Sequence, residues 1–98
     1  MSLYSFSPRA RRDLYEIFDY LSERSPRGAE RVRQTVLRAV QRLAEQPGLG
    51  HRREDLTARP LEFWSVMGRY TIVYRGDAPA IEIVRVFGPG RDIESALR

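Results

Sequence analysis

The stretch "LSERSPRGAERV" (21–32) decides the fold of this chain. Upstream of it, Leu14, Ile17, Phe18 and Leu21 recur at i, i+3, i+4 and i+7, the spacing of one buried helix face. Downstream, Ala29, Val32, Val36, Ala39, Val40 and Leu43 form a second such stripe. Between them stands Ser25-Pro26. The serine oxygen can accept from the first free N–H groups of a helix, and proline at the first helical position gives up an N–H that had no partner there. Ser7-Pro8 repeats the device. The spacing predicts one helix from Pro8 and a second from Pro26 to about Gln46. So short a junction folds them into an antiparallel hairpin whose apolar stripes face one way.

Outside the hairpin the period changes to two. "LYSFS" (3–7) reads as a short strand, followed after the helices by "LEFWSV" (61–66), "RYTIVYR" (69–75) and "IEIVRVF" (81–87). Met67-Gly68 and "GDAPA" (76–80) are tight turns, so the last three strands form a meander. "QPGLG" (46–50) stops the second helix, and "HRREDLTARP" (51–60) is a polar loop. Asp92 can cap a short closing helix, "IESALR" (93–98). The predicted class is α+β, in the order β-α-α-β-β-β-α, with the hairpin packed on one face of a small antiparallel sheet, as a single domain over 1–98. The first strand must pair with a later one, because its backbone groups otherwise have no partner.

The strands are apolar on both faces. Tyr70, Ile72 and Tyr74 oppose Val73; Ile81, Ile83 and Phe87 oppose Val84 and Val86; Leu61 and Phe63 oppose Trp64 and Val66. A sheet with one wet face alternates more cleanly. Either a bulge shifts one register, or a second polypeptide covers the face that two helices cannot reach. The second alternative is favoured.

The 98 residues hold 17 basic and 13 acidic side chains, a net +4, and every basic residue is arginine. Arginine stays charged and offers a planar fork to carboxylates and phosphates, so acidic partners are favoured. The absence of cysteine excludes disulfides and thiolate zinc sites. His51 is the only histidine, so no metal site is expected. No phosphate-binding loop is present and no cofactor is expected. Neither a secretory leader nor a run of about 20 apolar residues occurs, making a cytoplasmic protein without membrane contact the default expectation.

Four arginines stand out. Arg91 follows Gly88-Pro89-Gly90 at the corner leaving the last strand, where a stiff bend can present its fork to a carboxylate. Arg69, Arg75 and Arg85 lie on the strands and are candidates to join it in one basic patch. Arg27, Arg31, Arg38 and Arg42 share a face of the second helix, but Glu30 and Glu45 interleave and no aromatic is available for base stacking. That face reads as solvated.

"FSPRARRDLYEIFDYL", "RLAEQPGLGHRREDL", "RYTIVYR" and "IVRVFGPGRDI", in this order and at these spacings, resemble the ParE/RelE toxin superfamily of type II toxin–antitoxin systems. The resemblance covers nearly the whole chain and is closer to the ParE branch. It implies a toxin neutralised by a ParD-like antitoxin that inhibits growth by binding an essential target, with DNA gyrase the target associated with that branch. It also implies that the toxin alone makes no sequence-specific contact with nucleic acid. Arg91, Arg69, Arg85 and Arg75 become candidates for toxicity or target binding. Trp64, Phe63, Tyr70, Tyr74, Phe87 and Arg91 become candidates for antitoxin binding. The alternatives are a RelE-type ribosome-dependent mRNA endonuclease or a degenerate toxin that only binds antitoxin. The nuclease pattern is poorly matched: "EFWSV" lacks the strand lysines, the central-strand arginine falls near Thr71 with Arg69 two residues earlier, and the closing tyrosine is missing from "IESALR". Only Arg91 aligns, so no catalytic residue is assigned.

Overall fold

The computed structural model describes residues 3–76 and 80–98. In chain order these form β1 (Tyr4–Phe6), α1 (Pro8–Arg24), α2 (Pro26–Glu45), a single 3-10 turn at Pro47–Leu49, β2 (His51–Arg52), β3 (Glu62–Val66), β4 (Tyr70–Arg75), β5 (Ile81–Phe87) and α3 (Ile93–Ala96). Both Ser-Pro starts are as expected: Ser7 Oγ accepts from the Ala10 N–H and Ser25 Oγ from the Gly28 N–H, each at 3.0 Å. Among the described residues no helix is long and apolar enough to cross a membrane.

The sheet runs β1-β5-β4-β3-β2. Its pairings are antiparallel except the first, where Tyr4–Phe6 lie parallel to Ile81–Ile83. β2 is a two-residue strand inside the segment expected to be all loop. The β3–β4 loop is Met67–Arg69, between the paired Val66 and Tyr70; Met67 and Gly68 have φ of 58° and 65°, both left-handed, as the two central residues of an inverted turn require. The turn expected at 76–80 lies largely outside the described residues.

β5 carries a bulge. Val73 pairs with Arg85 but Tyr74 pairs with Ile83, so Val84 has no opposite number. One extra residue reverses which side chains share a face. Ile81 and Ile83 point to the helices and so does Val86, while Phe87 turns to the other side. The expectation that Phe87 shares the face of Ile81 and Ile83 is therefore corrected.

Two cores result. On the helix side, Val36, Val40 and Leu43 of α2 and the stripe of α1 pack on Tyr70, Ile72, Tyr74, Ile81, Ile83 and Val86. On the far side, Leu61, Phe63, Val73, Phe87 and Leu97 form a second cluster, with Leu56, Ile93 and Ala96 laid against it. The segment after β2 and the C-terminal turn supply this cover. The expected need for a second polypeptide on that face is thus corrected. The two helices hide only one side, but Leu56, Ile93 and Leu97 close the other from within the chain.

Candidate partner-binding site

Gly88-Pro89-Gly90 turns the chain away from the end of β5, with Gly90 at φ 77°, and Arg91 follows on the surface. The Arg69 N–H donates to the Val66 carbonyl at 3.1 Å, closing the β3–β4 turn and leaving Arg69 at the same end of the sheet. Between these two arginines and α1 lies a groove of about 520 Å³. Its apolar lining is Ile17, Tyr20 and Leu21 of α1 with Tyr70 and Val86 of the sheet. A smaller hollow of about 220 Å³ adjoins it, sharing Leu21, Arg69 and Tyr70 and adding Arg24, Arg31 and Met67.

Among the described residues neither Arg69 nor Arg91 is in an ion pair. The obvious neutraliser of Arg91, Asp92, is otherwise engaged. Its carboxylate accepts from the Ser95 hydroxyl at 2.8 Å and the Ser95 N–H at 3.3 Å, which cap α3 and hold its pKa below the usual carboxylate range. Arg91 instead leans over the Phe87 ring, 5.9 Å from its centre.

The other two predicted arginines are elsewhere. Arg75 is at the opposite end of β4 from Arg69, beside Glu82 of β5, roughly 17–20 Å along the strand. Arg85 is buried and structural in its contacts. Its Nε and Nη2 donate to the two carboxylate oxygens of Asp13 at 2.8 and 3.2 Å, and Nη1 donates to the Ala96 carbonyl at 3.3 Å. Asp13 also accepts the Val86 N–H at 3.0 Å, on the stretch of β5 beyond the reach of β1. Arg85 therefore locks α1, β5 and α3 together and offers no free fork.

Of the aromatic candidates, Phe63, Tyr70, Tyr74 and Phe87 are buried in the chain's own cores, so they offer a partner little or no free surface. Trp64 is half-buried against the helix-side core. Tyr70 alone of the buried four reaches the groove wall. Tyr74 fastens the loop after α2 to the sheet, because its hydroxyl donates to the Pro47 carbonyl at 2.6 Å and accepts from the Gly50 N–H at 2.9 Å. A Cβ at Gly50 would collide with that ring. His51 is exposed on β2, away from the groove.

Tyr20 and Met67 were not foreseen. They are 56 % and 47 % exposed, two of the few large apolar side chains left in water, and both line these hollows. Arg24 stacks over the Tyr20 ring at 3.7 Å. The available signal was a tyrosine just off the α1 stripe and a methionine where a hairpin of this type normally takes asparagine or glycine.

Residues 4–93 match the family described as "ParE toxin of type II toxin-antitoxin system, parDE". The chain is 33% identical over 86 residues to "Toxin RelE3" of Caulobacter vibrioides, covering 88% of this chain and 92% of that protein. Its backbone is similar to that of a solved structure titled "Chromosomal ParDE TA system from P. aeruginosa", with a TM-score of 0.73 at 20% identity over 91% of this chain and 97% of that one. That likeness shows the fold. With the pattern matched from the first strand to the closing helix, the chain belongs to the ParE toxin family of type II toxin–antitoxin systems.

Proposed function

We propose that this toxin is held inactive by a ParD-like antitoxin whose acidic, partly apolar segment docks in the groove between Arg69 and Arg91. Released, it stops growth by binding an essential complex, with DNA gyrase the first target to test. One observation carries the docking site: two arginines without carboxylate partners flank a groove that holds an exposed tyrosine. Apolar filling with a bidentate carboxylate at each side is what such a surface accepts best.

Binding is favoured over RNA cleavage by what the groove lacks. Cleavage needs one group to take the 2′-hydroxyl proton and another to protonate the leaving oxygen. Of the groove's proton-transfer groups, Asp13 is committed to Arg85 and Val86 and Tyr70 is buried, which leaves Glu16 and the Tyr20 phenol, with no histidine among the described lining residues. Arginine does not give up its proton in proteins.

The test uses the product of the adjoining reading frame, co-purified with the chain and titrated by calorimetry. Arg69→Glu with Arg91→Glu is expected to weaken capture at least 100-fold, since truncating a buried interfacial charge pair costs about 2–5 kcal/mol. Unchanged affinity would move the docking site elsewhere. For the target, the free chain is assayed in gyrase supercoiling and in cell-free translation with mRNA end mapping. Cut transcripts that disappear with Arg91→Ala would replace the binding reading by the nuclease one.

A further inference from the structure

The outer face of α2 carries a clear excess of positive charge. α2 holds five arginines against two glutamates. Arg27, Arg31, Arg38 and Arg42 fall within an arc of roughly 60° and span about 22 Å of helix. That arc is opposite the buried Ala29, Val32, Val36, Val40 and Leu43. All four are exposed, and among the described residues none is in an ion pair. The glutamate that interrupts the stripe in sequence does not do so in space. Glu30 is clamped by Arg33 through bonds of 2.9 and 2.6 Å and receives Gln34 at 3.2 Å. Those contacts hold its pKa below the usual range, the bond from Arg33 first. Only Glu45, at the last turn, remains beside the four.

We infer that this α2 stripe binds the phosphate backbone of duplex DNA without reading its bases. Three observations separate that ligand from others. The stripe carries no large apolar residue, since the exposed ones are Leu3, Tyr15, Tyr20 and Met67, none of them on α2. A protein partner would need such anchors. Single strands are held by stacking on exposed aromatics, which this face also lacks. Duplex backbone needs neither: cationic forks suffice, and Gln41 adds an amide donor about 40° beyond one edge of the arc. A duplex presents one charge per about 1.7 Å, so 22 Å of it offers on the order of a dozen. Arg31 also reaches the small hollow beside the Arg69–Arg91 groove, but none of the four arginines lines the groove itself, and Arg27, Arg38 and Arg42 line neither, so the inference does not depend on the antitoxin reading.

The test is anisotropy of a labelled mixed-sequence 20-base-pair DNA duplex titrated with the full chain between 50 and 200 mM salt. If the four arginines each neutralise a phosphate, they contribute about −3.6 to the slope of log affinity against log salt, or roughly 150-fold over that range. Replacing them together (R27Q, R31Q, R38Q, R42Q) is expected to remove that much of the slope while circular dichroism and melting stay unchanged, glutamine being a good helix former. The control removes the same charge off the helix (R52Q, R59Q, R75Q, R98Q) and should keep most of the slope. The inference is overturned if both variants lose equal slope, if the chain does not bind at 50 mM salt, or if single-stranded DNA, duplex RNA or polyglutamate binds more tightly than the DNA duplex.

Discussion

Asp13→Ala removes one carboxylate and with it four contacts to three partners. Arg85 loses bonds of 2.8 and 3.2 Å, the Val86 N–H loses its acceptor at 3.0 Å, and Arg9 loses a contact at 3.7 Å. Both members of the central pair are buried, Asp13 at 3 % and Arg85 at 8 % exposure. Removing one side of a buried pair costs about 3–5 kcal/mol, and an orphaned N–H costs about 1–3 kcal/mol more where it stays dry. Even the lower end of the sum, about 4 kcal/mol, is a large share of the 5–15 kcal/mol typical of a domain. For this size it lowers the melting temperature by roughly 16–32 °C. Urea unfolding followed by circular dichroism measures the loss. Asp13→Asn keeps an oxygen for Val86 and is expected to cost about half as much. Pairing Asp13→Leu with Arg85→Met removes both charges and should restore much of the loss, giving a coupling of about 2 kcal/mol or more. If Asp13→Ala stays within about 1 kcal/mol of the parent, or the paired changes are simply additive, the locking role assigned to this contact is wrong.

Two further outcomes are expected. Tyr74→Phe leaves Pro47 and Gly50 without their shared hydroxyl and should cost about 1–3 kcal/mol by the same unfolding assay. Burial pushes the Tyr74 phenol upward, the Glu62 charge adds to this and the Gly50 N–H opposes it. The neutral form is thus favoured when folded; its stabilisation is complete below the free tyrosine value near 10 and fades as pH rises through the folded one. The parent's urea midpoint should therefore fall above about pH 10 more steeply than that of Tyr74→Phe. Met67→Asn should raise stability by about 0.5–1 kcal/mol, a few degrees of melting temperature, because φ of 58° strains methionine more than asparagine.

The helices were legible because their signals are local. A serine, a proline and an apolar period lie within a dozen residues, and tertiary packing had nothing to overrule. Four of the five strands were legible for the same reason, to within a residue at either end; the two-residue β2 was read as loop. The bulge was not. "IEIVRVF" contains no glycine or proline to mark a shift, and its alternation looks regular until Val73 and Tyr74 are set opposite it. Arg85 was misplaced with it: an arginine on a strand reads as solvated, and its carboxylate lies 72 residues away. Cover for the second face was hard to read because Leu56 is a single apolar residue in polar company, and Ile93, Ala96 and Leu97 make only one turn of helical period with nothing to say where that turn lies. At the candidate site, Arg91 was singled out from the corner that presents it and Arg69 as a strand residue, and both line the groove. Tyr20 and Met67 become visible only when burial elsewhere shows how few large apolar groups are left outside.

Self-coverage of the sheet changes what a partner has to supply. If the far face were bare, any apolar helix would gain by lying on it, and affinity would follow area. With both faces closed, the remaining attraction is narrow: one groove, an exposed tyrosine, and cations at fixed corners. Those corners are stiff. A turn with both central residues left-handed precedes Arg69, and a proline between two glycines precedes Arg91. Asp13, Arg85 and the Ala96 carbonyl then tie the second corner to α1 and α3. A site arranged before its ligand arrives has less freedom to lose, so a short acidic segment can bind tightly without covering much of the molecule. On the proposed docking, selectivity would rest on where the carboxylates fall along that segment, and an antitoxin with its acids displaced by one helical turn would meet the groove but not the arginines.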